Sequence, residues 1–324
     1  MADAQMRIVV ITDDPGWHGR QLLAALSARH CTASYLRLQD CLFDLAPSSA
    51  NPSLGSGLLL GALGARLPDG VFVRGVPGGT LEQVILRLDV LHALKLLDVP
   101  VYNDARAIER TVDKAMTSFL LHRAGIPTPP TWVMEDPVRC REQIAREWAL
   151  GHEVVCKPLF GSQGDGLLRL APGMPLPDLA AYQGVAYLQR FLPGQGGINR
   201  DFRVFVIGGR ADCAMARYGQ GWIHNVAQGA RCEAVRVSGE LAELALAAVK
   251  ALDMDYAGVD LMAGPDGRLQ VLEVNSVPAW HGLQSVTPHR IAEHLVEDFL
   301  TRCVLPAHTR RIALAGRWPS HELH

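Results

Sequence analysis

The feature that most constrains this chain is a change in how its strands are connected. From residue 1 to 103 apolar strands alternate with helices, whereas from Glu153 onward strand follows strand through glycine-rich turns. "MRIVVIT" reads as a buried strand, followed by the turn-rich "DDPGWHG" and an amphipathic helix from about Arg20 to Arg29. "VFVRG" is a second strand, Thr80 and Gln83 predict a capping-box start for a helix running to about Leu97, and "VPVYND" is another short strand. Such alternation demands crossover connections, and therefore a parallel α/β sheet. The later run, "EVVCKPLF", "GLLRLA", "AYLQRFL", "RDFRVFVIGG" and "ADCAMARYG", predicts antiparallel sheets in an α+β body, interrupted by one helix at about Gly239 to Leu252. A helix within "DKAMTSFLLHRAGIPTPP" is stopped by Gly125 and the prolines beyond it.

Size and charge narrow the function. A chain of 324 residues that is 48% hydrophobic buries a large core, and its length predicts two or three compact units. A net charge of -2 without long runs of like charge leaves no footprint for nucleic acid or an anionic membrane. No apolar window is long enough to span a bilayer, and no basic segment with an apolar stretch opens the chain, so a cytoplasmic protein is expected. Seven scattered cysteines without a C-x-x-C pair fit reduced thiols rather than a disulfide or zinc framework.

Two stretches carry chemistry. "DLMAGPDGRLQVLEVN" reads as a β-hairpin, because Pro265, Asp266 and Gly267 supply turn chemistry between two apolar runs. With a two- or four-residue loop, Asp260 shares a face with Glu273 and Asn275; an odd loop without a bulge places it on the opposite face. Three oxygen-bearing side chains on one face suit Mg²⁺, and the competing reading is a half-exposed hairpin with solvated carboxylates. In "CKPLFGSQGDG", Lys157 ends an apolar strand, and Gly161, Gly164 and Gly166 form a loop whose amides cradle phosphate oxygens or make an ordinary turn. It is not a Walker A motif, which needs G-K-[ST] opening a helix. Only four lysines occur, Lys95, Lys114, Lys157 and Lys250.

Taken in order, Lys114, Lys157, the glycine loop, Asp260, Glu273 and Asn275 resemble the ATP-grasp superfamily. "DKAMTSFLLHRAGIPTPP", "VVCKPLFGSQGDGL", "YLQRFL", "RDFRVFVIGG", "AGVDLM" and "VLEVNSVP" are similar, more closely, to the RimK-like amino-acid ligases, which add glutamate or a related amino acid through amide bonds. The resemblance covers about residues 100 to 300. It implies an ATP-grasp fold of three domains: an N-terminal parallel α/β domain at 1–103, a central lid at 104–187 and a C-terminal antiparallel-sheet domain at 188–310, with a tail at 311–324.

By position, the resemblance places Lys114, Lys157, Gly161, Ser162, Gln163 and Gly164 on ATP, with Gln189, Arg190, Phe191 and Leu192 as a hinge against adenine. It gives Asp260, Glu273 and Asn275 to Mg²⁺ or Mn²⁺. Arg203, Arg217 and Asn225 fall at catalytic positions, and Asp201, Arg203, Asn225 and Trp280 at substrate-binding ones. Surface salt bridging is the other reading of the two arginines. Trp280 and His281 either line an acceptor pocket or are a packed tryptophan beside a surface histidine.

The chain departs from RimK itself, having Gln228, Gly229 and Ala230 where RimK has Arg-Gly-Gly, and "SVPAWHGLQ" in place of a short "SPG". These versions are similar to ligases of coenzyme metabolism, including those that glutamylate tetrahydromethanopterin-type pterins. The activity implied is ATP-dependent amide formation through an acyl phosphate, joining L-glutamate to an acceptor carboxylate. The alternatives are a D-alanyl or glutathione-type ligase and a non-catalytic nucleotide-binding regulator. Self-association fits the family, and the sequence sets no number of copies.

Overall fold

The computed structural model describes residues 5–46, 57–161, 165–194, 196, 200–219, 221–222 and 229–315. The chain divides into two compact units, one formed by residues up to Ala105 together with those from His289 onward, the other by Arg106–Pro288.

The first unit begins with β1 (Arg7–Ile11), α1 (Gly16–Ala28) and β2 (Thr32–Leu36), continues through a small antiparallel pair, β3 (Cys41–Phe43) and β4 (Leu58–Leu60), and then adds β5 (Gly70–Val73), α2 (Leu81–Leu96) and β6 (Val101–Tyr102). Helix α1 starts a turn earlier than its apolar pattern suggests, because Pro15 already sits in helical conformation ahead of it. At Thr80 the capping box is present: its side chain accepts from the Gln83 N–H, and the Gln83 side chain accepts from the Thr80 N–H. The sheet is parallel in the order β2-β1-β5-β6.

The second unit opens on α3 (Ala105–Val112) and α4 (Lys114–Arg123), with Asp113 capping α4 by accepting from the N–H groups of Ala115 and Met116. A first sheet, ordered β7-β10-β8-β9, is built from β7 (Thr131–Met134), β8 (Val154–Lys157), β9 (Leu168–Leu170) and β10 (Ala186–Arg190), and α5 (Pro137–Ala149) lies between β7 and β8 in the chain. Cys140 and Ile144 of α5 pack on Val154, Cys156 and Leu188 of that sheet. The second sheet, ordered β13-β12-β11-β14-β15, contains β11 (Arg200–Ile207), β12 (Arg210–Tyr218), β13 (Arg231–Val235), β14 (Tyr256–Ala263) and β15 (Leu269–Asn275). Helix α6 (Gly239–Ala251) covers one face, where Val204, Val206, Ala257, Val259 and Leu261 meet its Leu241, Ala245 and Ala248. Alternation then leaves the other residues of β11 and β14 for the opposite face. All sheet pairings in this unit are antiparallel. After β15 comes the single-turn α7 (His281–Gln284).

The chain then returns to the first unit through α8 (Ile291–Asp298), a π-helical stretch at Phe299–Val304 and α9 (Leu305–Ala315). Sequence order predicts that residues to 310 belong with the C-terminal sheet. They divide differently because Phe299 sits among Phe72 and Tyr102 at ring separations of 5.7 and 5.3 Å, and the Tyr102 hydroxyl donates to Asp298 at 2.7 Å. Burying that aromatic cluster outweighs chain continuity. The predicted lid and C-terminal regions are the two sheets of one unit. No helix among the described residues is long and apolar enough to cross a membrane.

Candidate functional site

Strand register builds the site. Cross-strand partners in an antiparallel pair point to the same face, as do residues two apart in one strand. Arg217 of β12 opposes Cys232 of β13 and Asp201 of β11; Arg203, two residues on, opposes Asp260 of β14, which opposes Glu273 of β15. Asn275, two beyond Glu273, opposes Gly258. A continuous polar row therefore crosses the whole sheet on the face away from α6.

The hairpin loop is odd. Ala263 pairs with Leu269, so residues 264–268 form a five-residue connection, and an unbroken ladder would set Asp260 against Leu272. Instead Leu261 pairs with Val271 while Asp260 pairs with Glu273, making Leu272 the extra residue of a bulge. That one insertion puts both carboxylates on one face.

Within the row the charges are tightly engaged. Arg203 donates to both Asp260 oxygens, from Nε at 2.7 Å and Nη2 at 2.6 Å. Arg217 does the same to Asp201 at 2.7 and 2.7 Å, and its Nη2 also lies 3.1 Å from Asp260. Burial works against the Asp260 carboxylate, yet Arg203 and Arg217 prevail and hold it below its usual range. Burial prevails at Asp201, raising its carboxyl to about 6 against the pull of Arg217. Two arginines between two aspartates are needed here because an unpaired buried charge costs several kcal/mol. Among the described residues Nη1 of each arginine has no partner and remains available to a substrate anion. Salt bridging and anion binding are thus compatible readings of these residues.

A cleft of about 80 Å³ shares Glu273 with this row and is lined besides by Lys114, Lys157, Gly161 and Gln189, with Thr111, Thr117, Ser118 and Tyr187. Lys157 donates to the Gln189 Oε1 at 2.7 Å, and Gln189 Nε2 donates to Thr131 Oγ1 at 3.1 Å. Lys114 Nζ donates to the carbonyls of Leu159 and Gly161 at 3.3 and 2.8 Å, so the start of the glycine loop folds over this ammonium. Burial lowers the Lys157 ammonium to about 8; Glu273 opposes that shift and Lys114 adds to it. Lys114 is lowered by burial too, with Glu273 and Asp113 opposing. Among the described residues no hydrogen bond ties the Glu273 carboxylate.

Most of the predicted residues fall into two adjoining groups, whereas Phe191, Leu192 and Arg190, the last turned to Glu147, line neither. The cleft gathers Lys114, Lys157, Gly161, Gln189 and Glu273, while the row gathers Asp201, Arg203, Arg217, Asp260, Glu273 and Asn275. Ser162, Gln163, Gly164 and Asn225 lie outside the described residues. Trp280 departs from expectation: it is fully buried, meeting Phe205 at 6.2 Å in a T-shaped contact, whereas His281 is exposed. A ring with no accessible surface lines no substrate pocket, so the packed-tryptophan reading holds. Tyr187, which opens the quoted "YLQRFL" without a role assigned to it there and whose hydroxyl pairs with Ser118 at 2.8 Å, lines the cleft, and Cys232, in no quoted motif, lies beside Arg217. Their signal is only alternation along a strand whose register is already known.

Oxygen donors fit a hard divalent cation. Glu273 has no hydrogen bond among the described residues, and Asn275 offers its Oδ1 as a further oxygen; its buried Nδ2 is a donor without a partner among them, which an acceptor and not the cation would satisfy. Asp260 carries three arginine contacts and retains lone-pair capacity on the pair of oxygens.

The pattern of the RimK-like ATP-grasp domain matches residues 111–299, more than half of the chain. The chain belongs to the RimK-like ATP-grasp family. With that membership comes the activity class, an ATP-dependent ligase. This RimK-like chain is 37% identical over 235 residues to the tetrahydromethanopterin:alpha-L-glutamate ligase of Methanococcus maripaludis, covering 71% of this chain and 78% of the relative. It is 31% identical over 207 residues to the alpha-aminoadipate-LysW ligase LysX of Saccharolobus solfataricus, covering 61% and 73%. The ATP-grasp ligase PsnB, solved with its precursor peptide PsnA2 and AMPPNP, shares the fold at a TM-score of 0.66 and 22% identity, covering 94% of this chain and 98% of PsnB.

The titrating groups give the RimK-like site a pH signature. The Lys157 ammonium titrates at about 8, so if this lysine binds the polyphosphate, kcat/KM for ATP is expected to fall above about pH 8. Binding at that pH takes up a fraction of a proton, measurable by calorimetry in two buffers of different ionisation heat. Because the folded pKa of Asp201 lies above its ordinary 3.8, the folded state holds that proton longer, and its contribution to stability falls as pH rises from 3.8 to about 6. Asp201→Asn should flatten that slope in urea titrations.

Proposed function

We propose that this ligase uses ATP to join the amine of L-glutamate to a carboxylate of a small coenzyme-like acceptor, within the cytoplasm. The observation that carries the reading is Glu273, paired with Asp260 and shared between a two-lysine cleft suited to phosphates and an arginine row suited to carboxylates. A carboxylate is a poor electrophile, so amide formation needs prior transfer of the γ-phosphoryl group to it. Lys114 and Lys157 would hold the phosphates, and residues 189–192 the adenine. Asp260, Glu273 and Asn275 would hold Mg²⁺ or Mn²⁺, which supplies charge neutralisation at the phosphoryl oxygens. The free edges of Arg203 and Arg217 would steady the acceptor carboxylate and later the tetrahedral oxyanion, in a site whose buried surroundings strengthen those contacts. The amine attacks as the neutral form, and phosphate leaves.

L-glutamate is favoured because the tetrahydromethanopterin relative is named for it and is the more similar of the two named relatives. The two names pair different partners, tetrahydromethanopterin with L-glutamate in one and alpha-aminoadipate with LysW in the other, so the acceptor is decided by measurement. ADP release is followed with L-glutamate, D-alanine and other amino acids against pterin coenzymes and peptides, with the product identified by mass spectrometry. Stimulation by L-glutamate with one acceptor and a mass increase of one or more glutamyl residues is expected. Stimulation only by another amino acid would replace glutamate, and none by any pair would leave a nucleotide-binding regulator.

A further inference from the structure

Three residues around the 189–192 segment, Glu153, Arg169 and Trp222, have no part in the chemistry above. Phe191 is held from three sides. Its N–H donates to the Glu153 carbonyl at 2.8 Å, the Arg169 guanidinium lies over its ring at 3.8 Å from the centroid, and Trp222 meets the ring edge-on at 6.1 Å and 84°. Arg169 is itself fixed by both oxygens of the Glu153 carboxylate, Nε to Oε2 at 2.5 Å and Nη2 to Oε1 at 2.8 Å. Glu153 therefore acts on Phe191 twice, through its main chain and through the arginine it orients.

The neighbouring side chains are anchored elsewhere. Gln189 is tied to Lys157 and Thr131, and Arg190 donates to the buried Glu147 carboxylate from Nε at 2.7 Å and Nη2 at 3.2 Å. With these side chains committed, only main-chain groups of the segment are left to recognise a ligand. The N–H groups of Arg190 and Phe191 already donate to the carbonyls of Pro130 and Glu153, so the next donor in line is the Leu192 N–H.

We infer that Arg169 is a positioning residue for purine recognition: by clamping the Phe191 ring it fixes the main-chain carbonyls and the Leu192 amide that read the edge of the base. This rests on residues 189–192 being the nucleotide hinge. A carbonyl and an N–H at fixed spacing match the 6-amino group and N1 of adenine, whereas guanine presents an oxygen and an N–H in the reverse order. Discrimination of that kind depends on leaving the wrong partner's polar groups unpaired, and it weakens when the reading groups can shift. A planar guanidinium that both stacks and bonds bidentately is what the clamp needs, and lysine supplies neither.

The test is steady-state kinetics of the full chain with ATP and GTP. Arg169→Met is expected to raise KM for ATP about tenfold, the scale of one lost cation-π and charge-assisted contact, and to lower the ATP over GTP preference in kcat/KM by a similar factor. Turnover at saturating ATP and KM for the amino acid should stay within about twofold, a split that general loosening of the fold would not produce. Arg169→Lys should not rescue. Unchanged KM for ATP and unchanged nucleotide preference in Arg169→Met would overturn the inference, as would equal losses in every parameter with a lowered melting temperature. Phe191→Ala separates this from the hinge reading. If it raises KM for ATP while Arg169→Met does not, the hinge stands and the clamp falls; if neither moves it, both fall.

Discussion

Replacing Asp260 by Asn should reduce turnover by about a thousandfold or more and also lower stability by about 3 kcal/mol, the cost of leaving buried arginine charge uncompensated. Both effects come from one carboxylate. Its oxygens receive Arg203 and Arg217, and on the next strand it faces Glu273, which lines the two-lysine cleft. For a unit of this size the loss corresponds to roughly 6 to 12 °C in melting temperature. Adding Arg203→Gln to Asp260→Asn should recover part of the stability, because both members of the pair are then neutral, while turnover stays low. Calorimetry and ADP release on the same preparations check the two halves. A variant that melts normally, or one that turns over at near the parent rate, would contradict the placement of Asp260.

Glu273→Gln is the complementary case, with a comparable catalytic loss of about a hundred- to a thousandfold and little change in melting temperature. Glu273 has no hydrogen bond among the described residues, so the fold does not lean on it. Its charge is felt by Lys157 and Lys114, whose ammonium groups it supports against burial. Losing that support moves the Lys157 pKa below about 8, and the alkaline limb of kcat/KM for ATP should shift to lower pH by the same amount. A pH-rate profile of the variant tests the sign. An unmoved limb would mean that Lys157 does not set it; near-normal turnover would mean that Glu273 holds neither ion nor phosphate.

Much of this site is legible before folding is considered. Alternation along "VLEVN" places Glu273 and Asn275 together, the strand preceding "FGSQGDG" places Lys157 at the edge of a glycine loop, and the order of these pieces identifies the family. The capping signal at Thr80 and the stop at Gly125, which adopts a φ of +68°, are local chemistry and appear where the residues say they should.

What no local pattern supplies is the relation between segments. The bulge at Leu272 decides whether Asp260 faces Glu273 at all, and it answers to the packing of a whole ladder rather than to the turn beside it. The commitment of Asp260 to Arg203 joins residues 57 apart in sequence, and the burial of Trp280 against Phe205 is likewise a packing outcome. The return of α8 and α9 to the first unit is set by an aromatic cluster that includes Phe72, Tyr102 and Phe299. The sequence by itself determined which side chains are available and which face of each element they occupy, because backbone periodicity is a nearest-neighbour property. The tertiary structure alone decided which faces meet, since register and packing minimise free energy over contacts between residues far apart in the chain.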